Sequence, residues 1–487
     1  MIDSVSLEIN RMILADTIAA ISTAAGTGAI AIVRLSGPSA WAIAKEIFVV
    51  GNTKNAPTLK SHHALHGYLR SAGNGQTLVD EVVLVPYQSP NSFTGEDLVE
   101  INCHGGQVVT NEVLCLCLSG GARLAAAGEF TQRAFLNGRI DLTQAEAVLD
   151  VIQAKTGLQS RLAISALKGD LGHKITDVRT RLVELLSRIV AGIDFPEEVG
   201  DMPLTDLEEI LAGCMLDLQN LSKTARSGRY LRDGIKVAIA GKPNAGKSSL
   251  LNQLLQFDRA IVTDIAGTTR DSLEEELDVN GIPLILIDTA GIRSTHDQVE
   301  VLGIERTKQS IDKADLVLLV TDVVSGWNED DVLVGELVKI RPHIILANKV
   351  DLSSQFEFNG KGHDTASFGS ADIPPAYCTN EACLAKIAIS AKTGAGIGTL
   401  TDTIERWVFN DPAAKNCGGT LNQRQAELCQ RALDSLILVQ ETAANMMPQD
   451  CLATDLKLAV DNLYEISGEK VSEEIISNVF ARFCIGK

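Results

Sequence analysis

The sequence predicts a multidomain chain of mixed class, α/β and α+β, in which a parallel α/β domain is inserted into a helical domain and an α+β domain precedes both. Three observations predict it. Between Gly234 and about Trp407, short β-branched runs (IKVAIAG, PLILID, ADLVLLVTD, PHIILANK) alternate with helical stretches, the pattern of a parallel sheet. On either side, apolar residues recur at helical spacing: Leu182, Leu185 and Ile189, then Leu204, Leu207 and Leu211, and again from Leu421 onward. Ahead of these, strand-like runs (AIAIVRLSG, EVVLVPY, DLVEINCHGG) are mixed with helical ones. The boundaries read from these changes are 1–140 for the first domain, 141–233 and 413–487 for the two parts of the helical domain, and 234–412 for the insert. The polar segment between Asp351 and Ser390, with several Gly and a Pro-Pro pair, is expected to be a surface loop.

With 487 residues, 45% of them hydrophobic and 22% charged, the chain can bury several cores. No stretch approaches the roughly 18 consecutive apolar residues a membrane helix needs. Asp3, Glu8 and Asp16 stand where a targeting peptide would be basic or acid-poor, so a cytoplasmic address with no membrane is expected. Ten cysteines without CxxC spacing suggest reduced, mostly buried thiols. Cys103–Gly106 (CHGG) reads as a tight turn, because one Cys and one His cannot close a zinc site. The formal net charge of −19 argues against a chain coated in nucleic acid, so any RNA contact is expected to be local or supplied by a partner.

The strand IKVAIA runs into GKPNAGKS, Gly241 to Ser248, which opens a helix, SLLNQLL. That is the context of a phosphate-binding loop: its glycines let backbone N–H groups turn inward, Lys247 reaches the β and γ oxygens, and Ser248 offers a hydroxyl to Mg²⁺. Asn244, Ala245, Gly246 and Ser249 belong to the same cradle. After the next strand comes DTAG, where Asp288 can hold the Mg²⁺ water shell and Gly291, with Thr289 and Ala290, can sense the γ-phosphate. NKVD follows a buried strand, with Asn348, Lys349, Val350 and Asp351. A carboxylate there accepts two parallel hydrogen bonds from the N1–H and 2-amino group of guanine, whereas adenine would leave it facing an acceptor, a mismatch of several kcal/mol in a dry pocket. Ser390, Ala391 and Lys392 complete the base clamp, and the four motifs in this order predict GTP binding.

Catalysis departs from the Ras pattern. Ile292 follows Gly291, so the water-orienting glutamine is missing from its usual place. A first switch loop is read at TDIAGTTRD, with Thr263, Asp264, Ile265, Ala266, Gly267, Thr268 and Thr269 near the nucleotide. Glu300 lies in a polar second switch, and from spacing alone it reads as a solvated charge.

Four further blocks are distinctive: DTIAAIST with IAIVRLSG, NSFTGEDLVEINCHGG, GEFTQRAFLNGRIDLTQAEAVLDVI, and FCIGK at the end. On these and the nucleotide motifs, the chain resembles the MnmE (TrmE) family of tRNA-modification GTPases over nearly its full length. The resemblance implies a folate-binding-like N-terminal domain that forms a homodimer, and a tetrahydrofolate derivative as one-carbon donor. It also implies a FAD-bearing partner, MnmG, in a heterotetramer or larger complex, acting on the wobble uridine of tRNA, with the tRNA held partly by the partner. By motif, it implies K⁺ at Asn244, Thr263, Ile265 and Thr268 in place of an arginine finger, Mg²⁺ at Ser248 and Thr269, and water ordering by Glu300. The folate positions are Arg34, Glu100, Arg139 and Lys487, which would otherwise read as surface ion pairs. Cys484 matches the family's motif cysteine, while by pattern it is a thiol beside a packing helix. Two departures stand out: Ala24-Ala25-Gly26 replaces a Pro-Pro before the glycine, and Ala127 replaces a Pro before Gly-Glu-Phe. The competing reading is a ribosome-assembly or signalling switch GTPase without folate chemistry.

Overall fold

A computed structural model describes residues 16–51, 58–71, 77–198, 200, 202–257, 275–287, 300–352, 382–409 and 420–487. It divides into two compact units: Met1–Leu149 with Ala166–Met215 and Arg431–Lys487, and Asp150–Ser165 with Leu216–Gln430.

The first unit is built on a seven-stranded sheet of β1 (Ile18–Ile21), β2 (Ile30–Ser36), β3 (Phe48–Val49), β4 (Leu65–Arg70), β5 (Leu78–Tyr87), β6 (Leu98–His104) and β7 (Arg123–Leu124), in the order β3-β4-β5-β6-β2-β1-β7. Neighbours are antiparallel except β1 and β7. Alternation along the strands sets the faces. Val33, Leu35, Val99 and Ile101 point into a core covered by α1 (Ala40–Ile47) and α2 (Gln107–Ser119). The residues between them, Arg34 and Glu100, therefore share the other face, and the β2–β6 register sets them directly opposite. Cys103 and His104 close β6, and Gly105–Gly106 lead straight into α2, so this stretch is a strand end and a helix start, not a separate tight turn. The reason is close strand approach: a Cβ on Gly105 would lie 2.4 Å from the Gly28 carbonyl oxygen.

Helices α3 (Glu129–Leu136), α4 (Leu142–Gln153), α5 (Gly157–Leu167), α6 (Asp170–Asp194), α7 (Leu204–Lys223) and α8 (Ala225–Asp233) follow. Leu171, Ile175, Val178, Leu182, Leu185 and Ile189 recur every three or four residues along α6, giving it one apolar stripe. That helix packs along α14 (Gln449–Ser467), which buries Leu452, Leu456, Ala459, Val460 and Leu463. Leu142, Ala145, Val148 and Leu149 of α4 meet Phe480 and Phe483, at and just beyond the end of α15 (Glu473–Phe480). The tail beyond then lies against the N-terminal strands: Ile485 bridges Ala127, and the Gly128 N–H donates to the Cys484 carbonyl at 3.4 Å.

The second unit holds a six-stranded sheet of β8 (Ile235–Ala240), β9 (Glu275–Val279), β10 (Ile282–Leu286), β11 (Leu316–Asp322), β12 (His343–Asn348) and β13 (Cys383–Ala388), ordered β13-β12-β11-β8-β10-β9. All pairs are parallel except β9 with β10. β12 is buried along its whole length and β11 along all but its last residue, as the continuous apolar runs of a parallel sheet require. Helices α9 (Lys247–Phe257), α10 (Glu300–Lys313), α11 (Glu329–Val338), α12 (Ile397–Phe409) and α13 (Gln423–Ala444) complete the order, α13 crossing the unit boundary. The β9–β10 turn is clasped by the Asp150–Ser165 segment: Thr156 Oγ1 donates to the Gly281 carbonyl at 2.6 Å, and Leu158 sits against Gly281. The loop expected between Asp351 and Ser390 lies outside the described residues from 353 to 381. Among the described residues no helix is long and apolar enough to cross a membrane.

Candidate functional site

The segment expected to bind phosphate joins the end of β8 to the start of α9. Gly241 has φ +149° and Gly246 φ +99°, and a Cβ on either would collide, at 2.3 Å from the Val320 oxygen and 2.1 Å from Asn348 Nδ2 respectively. Asn244 also holds a left-handed conformation, φ +62°, which Asn tolerates better than most residues. Lys247 turns back onto its own loop, Nζ donating to the carbonyls of Gly241 at 2.7 Å and Lys242 at 2.8 Å. Burial pulls its ammonium below the usual lysine range.

The base motifs reach the same place. Asn348 is buried at the end of β12 and spans two segments: its Nδ2 donates to the Ala245 carbonyl at 2.8 Å, and its Oδ1 accepts from the Ala391 N–H at 2.9 Å. One side chain thereby ties the phosphate loop to the loop after β13. Asp351 accepts from Ser390 Oγ at 2.7 Å, and Ser390 Oγ accepts in turn from the Thr393 N–H at 3.2 Å, so the carboxylate is held in a fixed orientation. Lys349, at φ +69°, is held by Asp322, 2.8 Å away. Burial raises the Asp322 carboxyl, but the Lys349 hydrogen bond and neighbouring backbone N–H groups override it and hold it low. The structure thus brings together Asn244, Ala245, Gly246, Lys247, Asn348, Asp351, Ser390 and Ala391. Thr263, Asp264, Ile265, Ala266, Gly267, Thr268, Thr269, Asp288, Thr289, Ala290 and Gly291 lie outside the described residues, as does the side chain of Glu300, whose backbone opens α10.

A second cluster sits in the first unit, on the sheet face shared by Arg34 and Glu100. The Arg34 guanidinium donates to Glu100 at 2.6 Å and lies over the Phe93 ring at 5.3 Å, while Arg139 covers the same ring at 5.2 Å and donates to the Phe93 carbonyl. Tyr87 donates to Glu100 at 3.3 Å, and burial with the adjacent carboxylate pushes its hydroxyl above the usual tyrosine range. The tail delivers Lys487 here: burial lowers its ammonium, the Arg34 charge lowers it further, and Glu100 opposes both. Gly486, at φ +95°, makes this possible, since a Cβ there would lie 2.1 Å from the Ile21 carbonyl oxygen. The cluster offers cations, one carboxylate and aromatic faces, the set that suits a flat heterocycle bearing carboxylates. Tyr87 and Phe93 were not singled out by sequence, although both fall in runs that were, EVVLVPY and NSFTGED. Cys484 is exposed beside this cluster in sequence, and its carbonyl accepts from the Gly128 N–H.

Two family models match successive parts of the chain. A family model described as the MnmE helical domain matches residues 142–484, and one described as the GTP-binding protein TrmE N-terminus matches residues 17–139. The tRNA modification GTPase MnmE of Acetivibrio thermocellus is 43% identical over 481 residues, covering 97% of this chain and 99% of its own length. Its counterpart in Synechococcus elongatus is 42% identical over 477 residues, with the same coverage of 97% and 99%. A solved structure of Era with MgGDPNP and a ribosomal RNA fragment matches 42% of this chain and 67% of its own at 26% identity, but a TM-score of 0.26 makes that likeness too slight to carry an argument.

Proposed function

We infer, from a chain that belongs to the MnmE family of tRNA modification GTPases, that it couples potassium-activated GTP hydrolysis to modification of the tRNA wobble uridine at C5. As a member of that family it is a GTP hydrolase that takes part in tRNA modification. The finer reading assigns 1–140 to folate binding and dimerisation, 234–412 to GTP, and 141–233 with 413–487 to the helical domain carrying FCIGK. A folate one-carbon unit and the FAD-bearing partner MnmG supply the modification chemistry, and the two proteins act as a heterotetramer or larger complex in the cytoplasm.

At the nucleotide, the amides of 244–248 receive phosphate oxygens, and Lys247 exchanges its two carbonyl partners for the β and γ oxygens. Glycine at 246 suits the cradle, because Asn348 Nδ2 closes on that position and leaves no room for a Cβ. Asp351 and the loop at Ser390–Lys392 select guanine. Ser248 and Thr269 would hold Mg²⁺; Asn244, Thr263, Ile265 and Thr268 would hold K⁺, which supplies the positive charge an arginine supplies elsewhere. Glu300 orders the attacking water. At the second site, Arg34, Arg139 and Lys487 suit the glutamyl carboxylates of a folate, and Glu100 suits the pterin N–H donors.

The observation that carries this reading is the meeting of Arg34, Glu100 and Lys487, brought together by strand register and by the docked tail. The test is twofold: delete the gene and measure C5-modified wobble uridine by mass spectrometry, and titrate the purified protein with a reduced folate. Loss of the modified nucleoside, with folate binding that disappears in Arg34→Ala, is expected. Intact modification, or GTP-dependent binding to ribosomal subunits with no folate affinity, overturns the reading.

A further inference from the structure

We propose that Lys242 and Asp331 are a positioning pair for the GTP site, fixing the peptide units of the phosphate loop in the orientation that receives phosphate. Lys242 follows Gly241 and is only 6% exposed, an unusual place for a lysine. Its Nζ donates to the Gly326 carbonyl at 2.7 Å and to Asp331 Oδ2 at 2.7 Å. Asp331, fully buried, is itself fixed: its Oδ2 also accepts from the Asn328 N–H at 3.1 Å, and its own N–H donates to Asn328 Oδ1 at 3.2 Å, the reciprocal cap that starts α11. The side chain of Lys242 is therefore anchored to a helix end, while its carbonyl accepts from Lys247 Nζ at 2.8 Å. From the other side, the Val320 carbonyl of β11 presses on Gly241 so closely that no Cβ fits. One residue thus sets both the floor of the loop and the resting place of the lysine that meets the phosphates.

Stability alone gives no reason for this pair. A buried ion pair seldom outperforms an apolar pair of the same volume, and Asp331 Oδ1 has no hydrogen-bond partner among the described residues, which adds cost. What the pair supplies is a fixed loop geometry, with the charge of Lys242 cancelled by Asp331 so that it adds little net field of its own at the phosphates. The proposal rests on reading 241–248 as the phosphate-binding loop.

The experiment uses the full-length protein and the variants Lys242→Arg, Lys242→Met with Asp331→Leu, Asp331→Asn, and Lys247→Ala. Fluorescent GDP and a slowly hydrolysed GTP analogue report affinity, steady-state kinetics report KM and kcat, and thermal unfolding reports the fold. The double variant is expected to unfold near the parent temperature, yet to bind both nucleotides on the order of tenfold more weakly, with KM rising far more than kcat falls. Lys242→Arg is expected to restore most of the affinity, because it keeps the charge and the donors. Parental affinity in the folded double variant, alongside lost affinity in Lys247→Ala, overturns the positioning role. Parental affinity in Lys247→Ala as well overturns the loop reading beneath it. Should the double variant fail to fold, Asp331→Asn decides: severalfold weaker binding supports the pair and unchanged binding overturns it.

Discussion

Gly246 has no room for a side chain because Asn348 fills the space, and that single contact shows how spacing in sequence becomes chemistry. The GKPNAGKS and NKVD motifs were legible because each lies on contiguous residues between a strand and the next element, and the parallel sheet brings such loops to one edge. Lys242 and Asp331 were not legible, being 89 residues apart and individually ordinary. Two expectations belong at this scale. Asn244, already in the left-handed conformation, is the described member of the proposed potassium set, and Asn244→Ala is expected to remove a several-fold preference for KCl over NaCl in the hydrolysis rate. Equal parental rates in the two salts would refute the site. Asp351→Asn places an amide donor against the donor edge of guanine, so GTP affinity should fall on the order of a hundredfold. Xanthosine triphosphate, with an oxygen at that position, should gain, and competition titrations against both nucleotides check the exchange.

At the level of the element, α3 carries a charge network that periodicity could not reveal. Arg133 is fully buried yet donates to Asp16 at 2.6 Å and to Glu129 at 2.9 Å, while Arg123 reaches the same two carboxylates at 2.7 Å each. Burial raises both carboxyls, but the arginine hydrogen bonds override it, holding Asp16 below its ordinary 3.8 and Glu129 below its ordinary 4.5. Carboxylates held low contribute stability that is complete above those ordinary values and is lost as pH falls through the lower, folded ones. Glu96 runs the other way, lifted chiefly by burial despite Ser36 and Arg133, and softens the top of that window. Amide exchange in β1 and β2 should therefore accelerate as pH drops below about 4 after correction for the intrinsic rate, and Asp16→Asn should flatten that dependence. A corrected profile that is flat in the parent would refute the network's role. The strands with continuous apolar runs were predicted; β9 was not, because Glu275, Glu276 and Asp278 give it the polarity of an edge strand.

For the molecule as a whole, helical spacing located the helices but could not say which neighbours they keep. Residues 150–165 read as part of the helical domain, yet they fall in the compact unit of the six-stranded sheet, where Thr156 and Leu158 hold Gly281. The docking of the C-terminal tail was equally hidden, since nothing in FCIGK names Ala127 or Ile21 as its neighbours. Gly486→Ala tests that docking: the added carbon has no space beside Ile21, so reduced-folate affinity should fall on the order of tenfold while nucleotide affinity stays at the parental value. Unchanged folate titrations would separate the tail from the second site. The docked tail also imposes an order on biosynthesis. Arg34 emerges from the ribosome early, but it cannot acquire Lys487 as a neighbour until the intervening polypeptide has been translated, so a nascent or prematurely terminated product could present a finished nucleotide pocket while its companion site still stood open on one side.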